Sequence, residues 1–457
     1  MDFIKGKNME DTITAISTPI GVGGISIVRV SGKDALEVTS KVFSCKTPVN
    51  EFLPRYMYLG TFHAGDFNEK CLCVYFKAPY SYTGEDLIEF QCHGGVVVTK
   101  KILDTLLEKG CRLADGGEFT KRAFLNGKVS LDEAEGVMDV ISAESESEAK
   151  AGYNLMDGNL RTVVDNIQKQ LTDTIAYLEV VFDYPEHDIE EITSKEVRAK
   201  LVNIKDRINT LLSTHGTGMQ IKNGCRVLIL GRPNVGKSSL MNALLNYNRA
   251  IVTNIQGTTR DTLEETYVYN GVKFLLTDTA GVRDSHDEVE KIGIERAKNA
   301  INFADVILLV LDGSENLTPL DKEIIQLVKN KKVILIVNKI DLGDKINDLN
   351  YNFPIVLKVS AANKTNIEKI KEVVYNTIID DNIINSNVVI TNTRHYSILK
   401  KARKACVDAI KSIDDKNNVE LLSIDLNNLW LVLGEITGET NNEEIINSIF
   451  ANFCVGK

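Results

Sequence analysis

The sequence predicts a multidomain α/β protein: an N-terminal α+β domain, then an all-α helical domain interrupted by an inserted doubly wound α/β domain. Three observations predict it. Strand-like and turn-like segments dominate the first ~125 residues. Apolar residues at helical spacing fill two separated stretches, one from Leu131 and one after about residue 382. Between them, short apolar strands alternate with helix-like stretches.

In the first stretch, the strand-like residues 25–30 follow Gly23-Gly24, and 71–76 precede the turn-rich Ala78-Pro79-Tyr80-Ser81. Further on, Leu160, Val163, Val164, Ile167, Leu171, Ile175 and Leu178 keep one apolar face. Thr193-x-x-Glu196 then offers a capping box before Val197, Leu201, Ile204, Ile208 and Leu211, which predicts two long amphipathic helices. Apolar strands are expected at 227–230, 274–276, 306–311, 333–337 and 355–359. Asn270-Gly271 sits between 266–269 and 272–276, the signature of a tight hairpin, so one edge strand should run antiparallel. Helical spacing returns with Ile398, Ala402, Ala405 and Ile410, then Leu422, Leu426, Leu429, Leu433 and Ile436, then a segment capped at Thr440 that carries Ile446, Ile449, Phe450 and Phe453. This last part is too small to bury a core of its own. Residues 126–221 and 383–457 are therefore expected to form one helical domain around an insertion at 222–382, after a first domain at 1–125; three domains in series is the alternative.

The 457 residues leave room for about three domains. No apolar run approaches the ~20 residues of a membrane-spanning helix, so no membrane insertion is expected. The N-terminus carries Asp2, Glu10 and Asp11 and has no apolar signal core, and the eight cysteines show no Cys-x-x-Cys pair. Reduced thiols and a cytoplasmic address follow as expectations. With 53 Lys+Arg against 63 Asp+Glu, a formal charge of −10, the chain lacks the footprint of an autonomous nucleic-acid binder, so an RNA client would need a partner.

Gly231-Arg232-Pro233-Asn234-Val235-Gly236-Lys237-Ser238 fits a phosphate loop between a strand and a helix. Backbone N–H groups at the helix start would cradle phosphates, Lys237 would add charge at the β/γ oxygens, and Ser238 would give a hydroxyl to Mg²⁺. The Thr258-Thr259-Arg260 loop offers a hydroxyl for the γ-phosphate and the Mg²⁺ shell. Asp278-Thr279-Ala280-Gly281 ends a strand, with Asp278 placed for the metal's outer shell and the Gly281 N–H for the γ-phosphate. Asn338-Lys339-x-Asp341 ends another; Asp341 can accept two hydrogen bonds from guanine that adenine cannot supply, and Ser360-Ala361 could donate a backbone N–H to the guanine oxygen. The four motifs in this order predict GTP rather than ATP. Val282 stands where Ras-like GTPases use a Gln to orient water, so catalysis must draw on a polar group elsewhere; Asp284, Asp287, Glu288 and Glu290 are the nearest reservoir.

On these motifs the chain resembles the MnmE (TrmE) family of tRNA-modification GTPases. The phosphate loop, the Gly257-Thr258-Thr259-Arg260-Asp261 switch and the Asp278–Gly281 motif would also fit the Era and Der ribosome-assembly GTPases. The ending Phe453-Cys454-Val455-Gly456-Lys457 discriminates, as do Thr83-Gly84-Glu85-Asp86, His93-Gly94-Gly95 and Gly117-Glu118-Phe119 with Arg122-Ala123-Phe124-Leu125-Asn126. The resemblance implies a Ras-like G domain activated by K⁺ and by G-domain pairing, with K⁺ held by Asn234, Thr253, Ile255 and Thr258, and Mg²⁺ by Ser238 and Thr259. It extends the GTP contacts to Val235, Ser239, Thr253, Asn254, Ile255, Gln256, Gly257 and Ala362, and makes Glu290 the catalytic carboxylate. It further implies that residues 1–125 bind 5-formyl- or 5,10-methylene-tetrahydrofolate and mediate dimerisation, with Arg29, Glu89 and Lys128 in the pocket and Lys457 joining from the chain's end. The implied reaction is a 5-carboxymethylaminomethyl or aminomethyl modification of the wobble uridine, position 34, of certain tRNAs. It would proceed in a heterotetramer or larger complex of the homodimer with the FAD-containing partner MnmG (GidA).

Other features lead less far. Gly21-Val22-Gly23-Gly24 is no dinucleotide fingerprint, because Ser26 holds the sixth position and a strand follows. His93 has no Cys or His at metal spacing and is read as structural. Cys454 sits where a prenylation box would place its cysteine, yet Gly456 and Lys457 fit that box poorly. A tail pinned by Phe450 and Phe453 is one reading of it, and a thiol near the one-carbon site, implied by the resemblance, is the other. An Era/Der-like assembly factor is the alternative function, although no basic Gly-x-x-Gly module follows residue 383. A folate enzyme with an idle G domain conflicts with the intact nucleotide motifs.

Overall fold

A computed structural model describes residues 11–183, 187–245, 264–278, 299–346, 353–414, 419–451 and 453–456. By its internal contacts the chain divides into two compact units. One comprises Met1–Met138, Leu155–Lys205 and Lys401–Lys457; the other Asp139–Asn154 and Asp206–Lys400.

The first unit begins with a seven-stranded sheet. Its strands are β1 (Ile13–Ile16), β2 (Ile25–Ser31), β3 (Phe43–Ser44), β4 (Met57–Ala64), β5 (Phe67–Phe76), β6 (Leu87–His93) and β7 (Arg112–Leu113), in the order β3-β4-β5-β6-β2-β1-β7. All pairs are antiparallel except β1 with β7. Along β2 the side chains alternate: Val28 and Val30 face a core shared with Phe62, Ile88, Phe90, Ile102 and Leu106, under the helices Ala35–Val42 and Val96–Glu108. Arg29 therefore points to the opposite face, and the register sets it directly across from Glu89 of β6.

The helical part of this unit contains Asn159–Asp183, the start of His187–Ser213, the end of Thr393–Asp414, and Val419–Thr437 and Glu443–Phe450. The expected apolar faces are the buried ones: Leu160, Val164, Ile167 and Leu171 are at most 2% exposed, as are Leu426, Leu429 and Leu433. Gln168 Nε2 donates to Trp430 O at 3.0 Å and Arg198 pairs with Asp414 at 2.6 Å, so segments far apart in sequence share one body.

Two cap assignments are corrected. Thr193 lies inside the helix His187–Ser213 rather than at its start. The last helix is capped by Asn442, whose side chain accepts from Ile445 N–H; Thr440 instead donates its hydroxyl to Leu431 O.

The second unit holds a six-stranded sheet of β8 (Cys225–Leu230), β9 (Glu264–Tyr269), β10 (Val272–Asp278), β11 (Val306–Asp312), β12 (Val333–Asn338) and β13 (Val356–Lys358), ordered β13-β12-β11-β8-β10-β9. It is parallel except for the edge strand β9, joined to β10 by the expected hairpin with Asn270 at φ 48° and Gly271 at φ 76°. Helices Lys237–Leu245 and Ile367–Ile378 cover one face through Leu240, Ile367, Ile370 and Val374, and Pro319–Val328 covers the other through Ile325 and Val328. Burial on both faces explains why β11 and β12 read as unbroken apolar runs. Among the described residues no helix is long and apolar enough to cross a membrane.

Candidate nucleotide site and a second pocket

In a doubly wound sheet, ligands bind beyond the carboxyl ends of the parallel strands, and there the nucleotide motifs gather. The loop after β8 turns through Asn234 at φ 65° and Gly236 at φ 96° into the helix Lys237–Leu245. Only glycine suits two of its positions. A Cβ on Gly231 would stand 2.4 Å from Val310 O, and one on Gly236 2.4 Å from Asn338 Nδ2. The loop runs into a helix start, whose N–H groups suit a phosphate. Lys237 is 8% exposed, and its Nζ rests on Arg232 O at 3.0 Å. Val235 is buried, and Ser239 is exposed on the helix.

Ser238 Oγ donates to Asp278 Oδ2 at 3.1 Å, joining the phosphate loop to the end of β10. A hydroxyl and a carboxylate side by side are the hard oxygen donors Mg²⁺ takes. At the base side, Asn338 is 2% exposed; its Nδ2 donates to Val235 O at 2.9 Å and its Oδ1 accepts from Ala361 N–H at 3.0 Å. Lys339 Nζ donates to Asn234 O and to Asp312 Oδ2, both at 2.7 Å. Burial opposes ionisation of Asp312, but hydrogen bonds from Lys339 and Ser314 outweigh it and hold the carboxyl below its ordinary value. Asp341 and Ala362 are exposed on this rim. The Ala361 N–H expected to meet the base is engaged by Asn338, and the Ser360 N–H donates to Thr365 O at 3.3 Å. Thr253, Asn254, Ile255, Gln256, Gly257, Thr258, Thr259, Thr279, Ala280, Gly281 and Glu290 lie outside the described residues.

The first unit carries a second constellation. Arg29 makes two hydrogen bonds to Glu89 Oε1, at 2.9 and 2.7 Å, while its guanidinium carbon stands 5.6 Å from the Tyr82 ring centroid and 5.5 Å from that of Phe119. Phe119 is fully buried and backs the guanidinium from the core, while Tyr82 is exposed and the Arg29–Glu89 pair partly so, a combination that offers a polar edge beside an accessible ring to a flat heterocycle. Lys128 is exposed beside Gly84, where an added Cβ would lie 3.4 Å from its Cγ. Arg29 Nη1 also reaches Gly456 O at 3.4 Å, so the chain's end arrives here, while Lys457 itself lies outside the described residues. Cys454 is exposed, and His93 Nδ1 pairs with Glu69 Oε1 at 2.6 Å.

Beneath this pocket Arg122, 2% exposed, donates to Glu85, Asp11 and Glu118 at 3.1, 2.7 and 2.9 Å, and Glu85 accepts from Ser31 at 2.7 Å. The Thr83–Asp86 and Glu118–Arg122 stretches are thus two halves of one ionic cluster around the buried Arg122.

Sequence reasoning missed Asp312 and Tyr82, and quoted Phe119 only within a motif, with no role. A carboxylate ending the otherwise apolar strand β11 was a signal for Asp312; Tyr82 carries none, because its place beside Arg29 arises from tertiary proximity.

A family model described as GTP-binding protein TrmE N-terminus matches residues 12–128, and one described as MnmE helical domain matches residues 131–454. The chain belongs to the MnmE family. The protein named tRNA modification GTPase MnmE from Lactobacillus gasseri is 43% identical over 458 residues, covering 98% of each chain. That of Clostridioides difficile is 41% identical over 457 residues, covering 98% of this chain and 100% of the relative. A crystal structure of Era from Aquifex aeolicus, bound to GDP and aluminium fluoride, aligns to 39% of this chain and 66% of its own at 27% identity, with a TM-score of 0.28. The MnmE match embraces both constellations: the Arg29 pocket falls within residues 12–128 and the nucleotide loop within 131–454.

Proposed function

We propose that this chain is a K⁺-activated GTPase that modifies the wobble uridine of certain tRNAs with a tetrahydrofolate one-carbon unit, together with the FAD-containing partner MnmG (GidA). The observation that carries the GTPase part is the convergence of Ser238 on Asp278 at 3.1 Å and of Asn338 on both Val235 and Ala361 at one end of the sheet. These contacts support a frame in which the phosphate side and the base side of a guanine nucleotide site would be tied together. GTP would lie along residues 234–239, with Mg²⁺ on Ser238 and Thr259 and the base read by Asp341. Asn234, Thr253, Ile255 and Thr258 would hold K⁺, which offsets charge between the β and γ phosphates, where Val282 supplies no polar group. Glu290 would position water.

The one-carbon reading is supported by the Arg29–Glu89 pair between Tyr82 and Phe119, with Lys128 and Lys457 as further ligands and Cys454 as a candidate for the modification chemistry. Residues 1–125, 126–221, 222–382 and 383–457 would be the four segments of a cytoplasmic homodimer, assembled with its partner into a heterotetramer or a larger complex. The test is a deletion strain complemented by this protein. Modified wobble uridine should return with the wild type and not with Glu290→Ala, which should keep GTP affinity because it touches water rather than the base. Hydrolysis should slow sharply when K⁺ is replaced by Na⁺. Equal rates in the two salts, or full modification by Glu290→Ala, would overturn the corresponding part.

A further inference from the structure

The last described residues, 453–456, are seated on the N-terminal sheet. Val455 forms an antiparallel bridge with Gly116, and Gly117 N–H donates to Cys454 O at 3.1 Å. Ser17 Oγ donates to Gly456 O at 3.0 Å, and Arg29 Nη1 reaches the same carbonyl at 3.4 Å. The seat is shaped for backbone. A Cβ on Gly116 would fall 2.8 Å from Phe453 O, and one on Gly117 2.6 Å from Phe453 Cβ. On Gly456, at φ 94°, it would fall 2.2 Å from Ile16 O. Phe453 is buried with Phe450 and Leu131, so the tail is fixed at both ends while Cys454 and Val455 keep exposed side chains. Six other cysteines are buried and Cys45 is half-buried.

We infer that Ser17 is a positioning residue: its hydroxyl, with the Arg29 guanidinium, clamps the Gly456 carbonyl and so holds the C-terminal tail, Cys454 included, beside the Arg29–Glu89 pair and the Tyr82 ring. Chain termini fray unless tied down, and of the two groups on this carbonyl, Ser17 makes the shorter bond while Arg29 is already committed to Glu89. The clamp deepens the one-carbon reading and rests on it for its role in the reaction. It differs from a general stabilising contact because it acts on where the tail sits, not on whether the sheet folds.

Amide hydrogen exchange on the full-length protein reads the clamp directly. Ser17→Ala removes one hydrogen bond of ordinary strength, so exchange in the peptides containing Gly117 and Val455 should quicken roughly five-fold, while Ser17→Thr should stay near wild type. Gly456→Ala, near the chain's end and outside the sheet, should release the tail from the other side. In the assembled complex both Ala variants should lower kcat for tRNA modification by ~10-fold, with GTP hydrolysis unchanged and rescue by Ser17→Thr. Unaltered exchange in both Ala variants would overturn the clamp. Faster exchange with unaltered modification would overturn its role in positioning. A wild-type protein that docks its tail yet performs no tetrahydrofolate-dependent modification would overturn the proposed reaction, and Ser17's part in it, while the clamp itself stood.

Discussion

Asn338 uses both ends of its amide, one on Val235 O and one on Ala361 N–H, and is almost fully buried, so its orientation is set before any base arrives. Lys339 does the same for the turn at Asn234, drawing on an ionised Asp312. Asp341 differs: its carboxylate is exposed and makes no hydrogen bond to the described residues, which leaves both oxygens to accept from a ligand. Asp341→Asn turns one acceptor into a donor. Titration calorimetry should then show GTP binding weakened by about 3 kcal/mol or more, at roughly 1.5–3 kcal/mol for each charge-assisted bond lost, with a relative gain for xanthosine triphosphate. Unchanged GTP affinity would remove Asp341 from base recognition.

Among elements, the strand–loop–helix unit from β8 to Lys237–Leu245 is tightly constrained. Gly236 combines a left-handed φ of 96° with a 2.4 Å approach to Asn338 Nδ2, itself held by Val235 O, so an added methyl can be relieved only by breaking that hydrogen bond. Gly236→Ala should lower nucleotide affinity at least ~10-fold, since left-handed strain alone costs about 1–2 kcal/mol and the lost bond adds to it. Fluorescent-GDP titration measures this, and far-UV circular dichroism should be unchanged because the helix beyond the loop is packed independently through Leu240 and Leu244. The β9–β10 hairpin shows the opposite economy: Asn270-Gly271 adopts the positive φ pair a two-residue turn requires, and the turn follows from local chemistry alone.

For the molecule as a whole, the acid limit of stability should be set by the ionic cluster around the buried Arg122. Burial tends to raise the Asp11 and Glu118 carboxyls, but hydrogen bonds from Arg112 and Arg122 outweigh it and hold both below their ordinary values. A carboxylate depressed in the folded state contributes stability that is complete above its unfolded value and is lost as pH falls through the folded one. The contribution should therefore be whole above about pH 5 and fade below about pH 4. Thermal unfolding between pH 3 and 6 should show a falling midpoint in the wild type and a flatter profile in Glu118→Gln; parallel profiles would mean the cluster does not set the acid limit. The same cluster marks the boundary of what is legible. Period-2 and period-3.6 apolar patterns, the Asn270-Gly271 turn and the four nucleotide motifs are local, because backbone geometry and phosphate chemistry demand particular residues at fixed spacing. From them the sequence by itself determined the doubly wound sheet and the helical segments on either side of it, and set the expectation of a guanine nucleotide site. Where helices begin was less legible: Thr193 falls within a longer helix, and Asn442 rather than Thr440 caps the last one. Only the tertiary structure decided that Arg29 faces Glu89 across two strands, that Arg122 gathers Glu85, Asp11 and Glu118, and that Ser17 meets Gly456. Those meetings depend on strand register and chain closure, which sum small packing energies over the whole molecule and leave no pattern in any one stretch of sequence.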